Sequence, residues 1–489
     1  MSQDTTGARP QRGIEVRSID YVPQSERHGK VSRIGSLWFM SNAQIATLAT
    51  GLISITTGGN VVWSLIAIAI GIAVGTLFMA AHSSQGPQLG LPQMIQSRPQ
   101  FGFIGALLVW LFAYIQYAGF NIFNTVLAGQ AIGGAVHTPS SWDNLWFWVV
   151  TIVAAVIALY GYDLIHSFER YLSIITILML LLLTISVLTH LQMPASQWDL
   201  GHFSPVAFFA QLGVAAGYQI SWAIYVSDYS RYLPATTSPR ATFRWTFWGS
   251  ALGGMWVMFL GTYIAVSVKS IGTATIDAIG TVADKLFPGF GSIALIVAAL
   301  GLISVTALNM YGGSLTLISS IDSFRTIRPT LRIRIITIVI TAAISIGFAN
   351  FASESFLGDF ADFLLVILYL FIPWTAVNLT DYFIVRRGHY AIAEIFKPDG
   401  IYRRWGWAGI CAYLLGFVCM IPFFNVAGFY EGFVAHALGG VDLSLFIGLP
   451  VAALTYLLFT RNVDVAAEKA LAAEQAAELE RDSEEHVLP

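Results

Sequence analysis

Twelve apolar stretches, each long enough to cross a hydrocarbon layer that takes about 20 helical residues, leave this 489-residue chain little freedom of class. They run over 34–57, 62–81, 103–134, 145–161, 171–191, 205–227, 245–268, 291–320, 333–351, 360–384, 405–424 and 442–460, and are numbered here as spans 1–12. In lipid a segment must satisfy its own backbone polar groups, so helices are expected. Composition agrees: 56% of the residues are hydrophobic and 11% are charged, against about 25% charge in a soluble domain. Spans 3 and 8 exceed what the bilayer requires and are expected to tilt or to carry non-spanning ends. The residues before span 1 are polar and lack an apolar core, so insertion is expected to rely on span 1 and not on a cleaved leader. Cys411 and Cys419 lie in one apolar stretch and suggest neither a disulfide framework nor a metal cluster.

An even number of spans puts both ends of the chain on one side, and the basic residues say which side. Of 25 lysines and arginines, all but Lys269 and Lys285 fall before span 1, in even-numbered loops, in the tail or, for Arg334, at the adjoining end of span 9. The excess of positive charge marks the cytoplasmic face. A cytoplasmic (plasma) membrane protein with both termini inside is expected.

Two spans are oddly made. Span 1 carries Ser41, Asn42, Gln44 and Thr47, with Gly51 just beyond. Span 6 carries Gly213, Gly217, Gln219, Ser221 and Trp222, and leaves the bilayer through Asp228 and Arg231. Such residues often serve as interhelical glue. Their density here points instead to interrupted helices, because polar groups in hydrocarbon tend to face a protein interior or a watered cavity. Each interrupted span opens a block of five, and five is odd, so the second block must enter from the opposite face. Paired broken helices in two inverted halves locate the substrate site of a secondary transporter. The expected divisions are an arm over 1–33, repeats over 34–191 and 205–384, accessory helices over 405–460, and an acidic tail over 461–489.

Other spans add candidates. Phe120 and Asn124 are four apart in span 3 and share a helical face; they could stack on and hydrogen-bond a planar ring, or simply pack between helices. Ser304, Thr306 and Asn309 lie in span 8. Their hydroxyls could join carbonyls freed at the span 1 break around a small cation, or bond back to their own helix. No Asp, Glu, Lys or Arg occupies the middle of a span, which disfavours channels, voltage sensors and proton pumps. It suits a neutral, planar, hydrogen-bonding solute, and favours sodium over a proton relay. From Val463 the tail holds eight acidic residues against Lys469 and Arg481, and reads as a solvated helix that frays, with no assigned role.

Four stretches carry a family resemblance: QGPQLGLPQMIQSRPQFG (Gln85–Gly102), GYQISWAIYVSDYSRYLP (Gly217–Pro234), DYFIVRRG (Asp381–Gly388) and GIYRRW (Gly400–Trp405). Gly13-Ile14-Glu15 and Glu26-Arg27 fit as well. The chain resembles the nucleobase–cation symporter-1 family, in its purine–cytosine permease branch, from about residue 13 to 460. The resemblance implies an all-α membrane protein with a LeuT-type fold: two inverted five-helix repeats and two accessory helices. It implies a substrate site between spans 1, 3, 6 and 8. Phe120 and Trp222 would stack on the ring, with Asn124, Gln219, Ser41, Asn42, Gln44 and Asn309 as edge contacts. Phe120 stands where the family usually has Trp, which keeps the stacking face but removes an indole N–H. Gln219 stands where hydantoin transporters have Trp. A sodium site would use carbonyls near Met40 and Ala43 with Ser304 and Thr306; fungal relatives couple to protons, so sodium and proton both stay open.

The combined reading is a symporter for a nucleobase or related heterocycle (cytosine, a purine, uracil or a hydantoin), with no nucleic acid partner and no cofactor beyond the coupling cation. The rival on the same fold is an amino-acid or vitamin symporter. An enzyme is disfavoured because His82, His137, His166, His190 and His202 are scattered at loops and span ends without a catalytic constellation.

Overall fold

The computed structural model describes residues 20–160, 162–267, 275–324, 330–351 and 356–485. The Gly13-Ile14-Glu15 match, Lys269, Arg325 and Arg328 lie outside the described residues. The chain is a bundle of membrane-spanning helices, and eight of the twelve expected spans are unbroken helices long and apolar enough to cross a bilayer alone. These are spans 2, 3, 4, 5, 7, 8, 9 and 10. Spans 11 (Trp407–Met420) and 12 (Ser444–Thr460) are shorter apolar helices.

Spans 1 and 6 fall short because they are broken. Span 1 runs as Ser32–Asn42, leaves helical geometry at Ala43 (φ −82°, ψ 69°) and Gln44 (φ −149°, ψ 165°), and resumes as Ile45–Thr50. It is interrupted again before Ile53–Thr56. Span 6 runs as Pro205–Ser221, tightens into a 3₁₀ turn at Trp222–Ile224, and restarts as Val226–Ser230 after Tyr225 (φ −140°, ψ 12°). Backbone groups freed by a break must find partners within the protein. At the second gap of span 1, Gln211 of span 6 supplies them, donating to the Thr50 carbonyl at 2.9 Å and accepting from the Ser54 N–H at 2.9 Å. Thr262 of span 7 donates to the Gly51 carbonyl at 2.7 Å.

The helix contacts repeat with an offset of five. Span 1 packs on span 7 and span 2 on span 6; span 3 packs on spans 8 and 9, and span 4 on span 8. The close approaches follow the same rule. Gly71 and Gly75 of span 2 would place a Cβ 2.5 Å from the Leu212 and Ala216 carbonyls of span 6. Gly249 and Gly253 of span 7 would place one 2.2 and 2.6 Å from the Gly35 and Phe39 carbonyls of span 1. Each half therefore uses a small-x₃-small stripe on its second helix to reach the backbone of the other half's first. Without a hydrophobic force between helices in lipid, backbone approach of this kind supplies the packing.

The tail corrects an expectation. Residues Val465–Glu485 form a helix bent 83° from span 12, and it is docked, not solvated along its length. Glu468 is 6% exposed; it accepts from Arg386 Nε at 2.9 Å and from the Tyr402 hydroxyl. Gln475 donates to Glu394 at 2.9 Å. Glu480 accepts from the Tyr21 hydroxyl at 2.5 Å and the Gln24 N–H at 3.0 Å. The helix thus reaches from the end of span 10 to the N-terminal arm.

Candidate functional site

A cavity of about 760 Å³ lies where the two broken helices face each other, walled by spans 1, 5, 6 and 8. It extends from Arg33 and Tyr229 to Gln44, Trp222 and Asn309. Among the described residues Arg33 is the one charged group on its wall. The rest is apolar, aromatic, hydroxyl or amide, as suits an uncharged solute.

The break in span 1 builds part of this wall. Extended backbone at Gln44 turns its side chain out of the helical register. Its Nε2 donates to the Ser41 carbonyl at 3.0 Å and to the Tyr218 hydroxyl at 3.1 Å. Ser41 also lines the cavity, although its hydroxyl donates to the Leu37 carbonyl at 2.9 Å. Trp222, in the 3₁₀ turn of span 6, is 8% exposed. Its ring lies edge-on to Trp38, Tyr218 and Tyr225, at 5.8, 6.0 and 5.9 Å between centroids. Four polar atoms in or beside this region are buried and lack a partner among the described residues: Gln44 Oε1, Trp222 Nε1, Trp38 Nε1 and Ser304 Oγ. Leaving such atoms unpaired costs about 1–3 kcal/mol each, so they mark where a bound group would be rewarded.

Of the expected site residues, Met40, Ser41, Ala43, Gln44, Trp222, Ser304 and Asn309 line the cavity together. Asn42 and Gln219 are off its wall. They form a closed ring with Ser250 of span 7: Asn42 donates to Ser250 at 3.0 Å, Ser250 to Gln219 at 2.7 Å, and Gln219 to Asn42 at 2.9 Å. Their polar atoms brace spans 1, 6 and 7 against one another. Thr306 is also away from the wall, its hydroxyl donating to the Leu302 carbonyl at 2.8 Å. Phe120 packs edge-on to Tyr218 at 6.1 Å and Phe363 at 5.3 Å. Asn124 is buried, and its Oδ1 has no partner among the described residues. Tyr218 was not among the expected residues, yet it touches Gln44, Phe120 and Trp222. Its place one helical turn before Trp222 was the available signal.

Two broken helices in an inverted ten-helix core, with a largely apolar cavity at the breaks that carries amides and hydroxyls and no carboxylate among the described residues, define a membrane transporter of the LeuT type. Residues 21–448 match the family described as permeases for cytosine/purines, uracil, thiamine and allantoin, and the chain belongs to that family, the purine–cytosine permeases of the nucleobase–cation symporter-1 group. YxlA of Bacillus subtilis (strain 168), whose name carries a provisional purine–cytosine permease assignment, is 35% identical over 448 residues, covering 92% of this chain and 96% of its own. The purine–cytosine permease fcyB of Emericella nidulans is 25% identical over 483 residues, covering 93% and 91%. Among solved structures, Mhp1, a nucleobase–cation-symport-1 transporter, superposes in its closed form with bromovinylhydantoin bound. The TM-score is 0.71 at 17% identity, over 95% of this chain and 99% of Mhp1. The inward-facing form of Mhp1 also gives 0.71, over 98% and 99%.

Proposed function

We propose that this chain is a plasma-membrane symporter that imports a nucleobase or related planar heterocycle, such as cytosine, a purine, uracil or a hydantoin, by alternating access. The observation that carries the reading is the cavity at the two breaks, lined by Trp222, Gln44, Ser41, Ser304 and Asn309 and free of carboxylates among the described residues. A flat neutral ring gains from an aromatic face, and its edge gains from unpaired amide and hydroxyl groups. The names of YxlA and fcyB and the hydantoin bound to Mhp1 support the same solute class. Phe120 and Asn124, deeper in the bundle, are proposed to complete the site beside Tyr218. The cavity is lined by Arg33, at the arginine- and lysine-rich end of span 1. With the termini in the cytoplasm, it is the inward-facing vestibule.

Sodium is the proposed coupling ion. Met40, Ala43 and Ser304 line the same cavity, and neutral oxygens suit a hard cation. A proton would need a titratable carrier, and the wall holds no Asp or Glu among the described residues. The test is the melting temperature of purified protein with cytosine, adenine, hypoxanthine, uracil and hydantoin, each in sodium and in choline chloride. Ligands that bind the folded state raise it. Stabilisation by at least one base, strengthened by sodium, is expected. No shift with any base, and no accumulation in proteoliposomes, would overturn the reading; a shift equal in both salts would leave a proton as the coupled ion.

A vitamin is the second reading. The cavity volume lies within the roughly 300–1,000 Å³ typical of pockets for drug-sized ligands. The vitamin B6 transporter TPN1 of Saccharomyces cerevisiae is 24% identical over 327 residues, 62% of this chain and 55% of its own. Pyridoxine and leucine in the same panel separate vitamin and amino-acid transport from nucleobase transport.

A further inference from the structure

Hydroxyl side chains inside the spans are for the most part returned to their own helix. Thr184, Thr189, Thr306 and Thr316 each donate to the carbonyl four residues earlier, at 2.7–2.9 Å. Two hydroxyls on the cavity wall do not. Ser304 Oγ of span 8 has no partner among the described residues, and the hydroxyl of Thr176 in span 5 makes no hydrogen bond among them either. Thr176 is 6% exposed and lines the cavity. The two hydroxyls share a patch of wall. Outside its own helix, the one heavy atom within 4 Å of the Cβ that Gly301 lacks is Thr176 Oγ1, at 3.8 Å. Gly301 and Ser304 are three apart on one helical face, about 5–6 Å between Cβ positions. Thr176 and Ser304 also lie near the middle of their helices, Tyr162–His190 and Phe290–Asp322. The break in span 1 leaves a third oxygen. The resumed helix opens with the Leu48 N–H bonded to the Gln44 carbonyl at 3.3 Å, and the Ala43 carbonyl accepts no bond among the described residues. Ala43 lines the same cavity.

We propose that Thr176 is a ligand of the coupling cation, so that the sodium site is built by three helices: the Ala43 carbonyl of span 1, Ser304 Oγ of span 8 and Thr176 Oγ1 of span 5. Small hard cations are held by oxygen, and none of these three oxygens accepts a hydrogen bond among the described residues. Recruiting Thr176 therefore breaks no bond within the protein. Thr306, the other hydroxyl expected at a sodium site, would first have to release the Leu302 carbonyl. Thr176 takes its place from the opposite wall, and span 5 gains a part in binding as well as in enclosing the cavity.

This site rests on the sodium reading above, and not on which base is carried. The melting temperature of the purified full-length protein is measured without base as sodium chloride replaces choline chloride at constant ionic strength. The curve gives the sodium concentration for half-maximal stabilisation. Thr176→Val keeps the shape of the side chain and loses only the oxygen. It is expected to raise that concentration fivefold or more while melting like wild type in choline. Thr176→Ser retains the oxygen and is expected to stay within twofold of wild type; a packing role would reverse the order of the two variants and overturn the proposal. A midpoint unmoved in Thr176→Val but moved in Ser304→Ala overturns the role of Thr176 and leaves the sodium reading standing. Wild type that does not respond to sodium removes both. Whichever base of the panel stabilises wild type is then titrated in choline, where Thr176→Val is expected to bind it as wild type does. Loss of base affinity with an unmoved sodium midpoint would make Thr176 a contact of the solute instead. If Thr176→Val does not fold, Thr176→Ala deletes the same oxygen, with the same expected shift and the same refutation.

Discussion

Trp222 and Ser304 carry the two interactions on which the proposed cycle depends. An aromatic face under a base is worth about 1–3 kcal/mol. Trp222→Ala should therefore raise KM for uptake by about 5- to 150-fold, and Trp222→Phe by much less, because the face survives and only the indole N–H is lost. Equal KM values for wild type and Trp222→Ala would take the ring out of contact with this residue. Ser304 Oγ has no partner among the described residues, so Ser304→Ala costs no existing bond. It should weaken the sodium dependence of uptake tenfold or more while leaving the melting temperature in choline unchanged. At this scale the sequence was read unevenly. The amides of spans 1 and 6 marked the breaks, but not which of them faces the cavity. Asn42 and Gln44 are two residues apart, and the non-helical step at Ala43–Gln44 sends one into the brace with Ser250 and the other onto the wall. Helical periodicity cannot be carried across a step that abolishes it.

The breaks work only if the intact helices beside them hold the backbone close, and this is the task of the paired glycines. A methyl group on Gly75 would sit 2.5 Å from the Ala216 carbonyl, and one on Gly253 2.6 Å from the Phe39 carbonyl. Both obstacles are backbone, which cannot swing aside. Gly75→Ala and Gly253→Ala should each cost about 1–3 kcal/mol through overpacking, read as a lower melting temperature in detergent. Gly58→Ala is a contrasting variant, since nothing lies within 4 Å of its Cβ position. Its strain comes from a positive φ of 88° alone, which costs a residue bearing a Cβ roughly 1–2 kcal/mol. The relation between Gly71-x₃-Gly75 and Gly249-x₃-Gly253 was present in the sequence as spacing. It became evidence for two inverted halves once each stripe was seen to meet the first helix of the opposite half. Single-helix signals were legible in the chain; the symmetry relating them resides in contacts more than a hundred residues apart.

Across the whole molecule the cavity wall reaches Arg33, while Phe120 and Phe123 of span 3 meet Phe360 and Phe363 of span 10. The tail helix closes a buried charge network that links span 10, span 12 and the loop before span 11. Asp381 has no exposed surface. It accepts from Gln100 at 2.6 Å, Tyr390 at 2.8 Å and Tyr456 at 2.9 Å, and pairs with Arg386, whose Nε then serves Glu468. The acidic composition of the tail suggested solvation because nothing local to it is basic enough to neutralise eight carboxylates. The partner that buries Glu468 stands 82 residues earlier in the chain. The energetic ranking follows from what each deletion leaves behind. Asp381→Ala strips a buried arginine and three donors of their acceptor and should cost about 3–5 kcal/mol, the range for breaking a buried pair from one side. Glu468→Ala leaves Arg386 paired with Asp381 and orphans the Arg386 Nε–H and the Tyr402 O–H, whose oxygen still accepts from the Ala391 N–H, a loss of about 1–3 kcal/mol. Melting temperatures of the two variants should fall in that order. Glu468→Ala should also speed proteolysis within Val465–Glu485, because the docked helix loses its buried anchor while Gln475 and Glu480 keep only partly buried contacts. A Glu468→Ala protein that melts and is cleaved like wild type would mean that Glu468 does not anchor the tail helix.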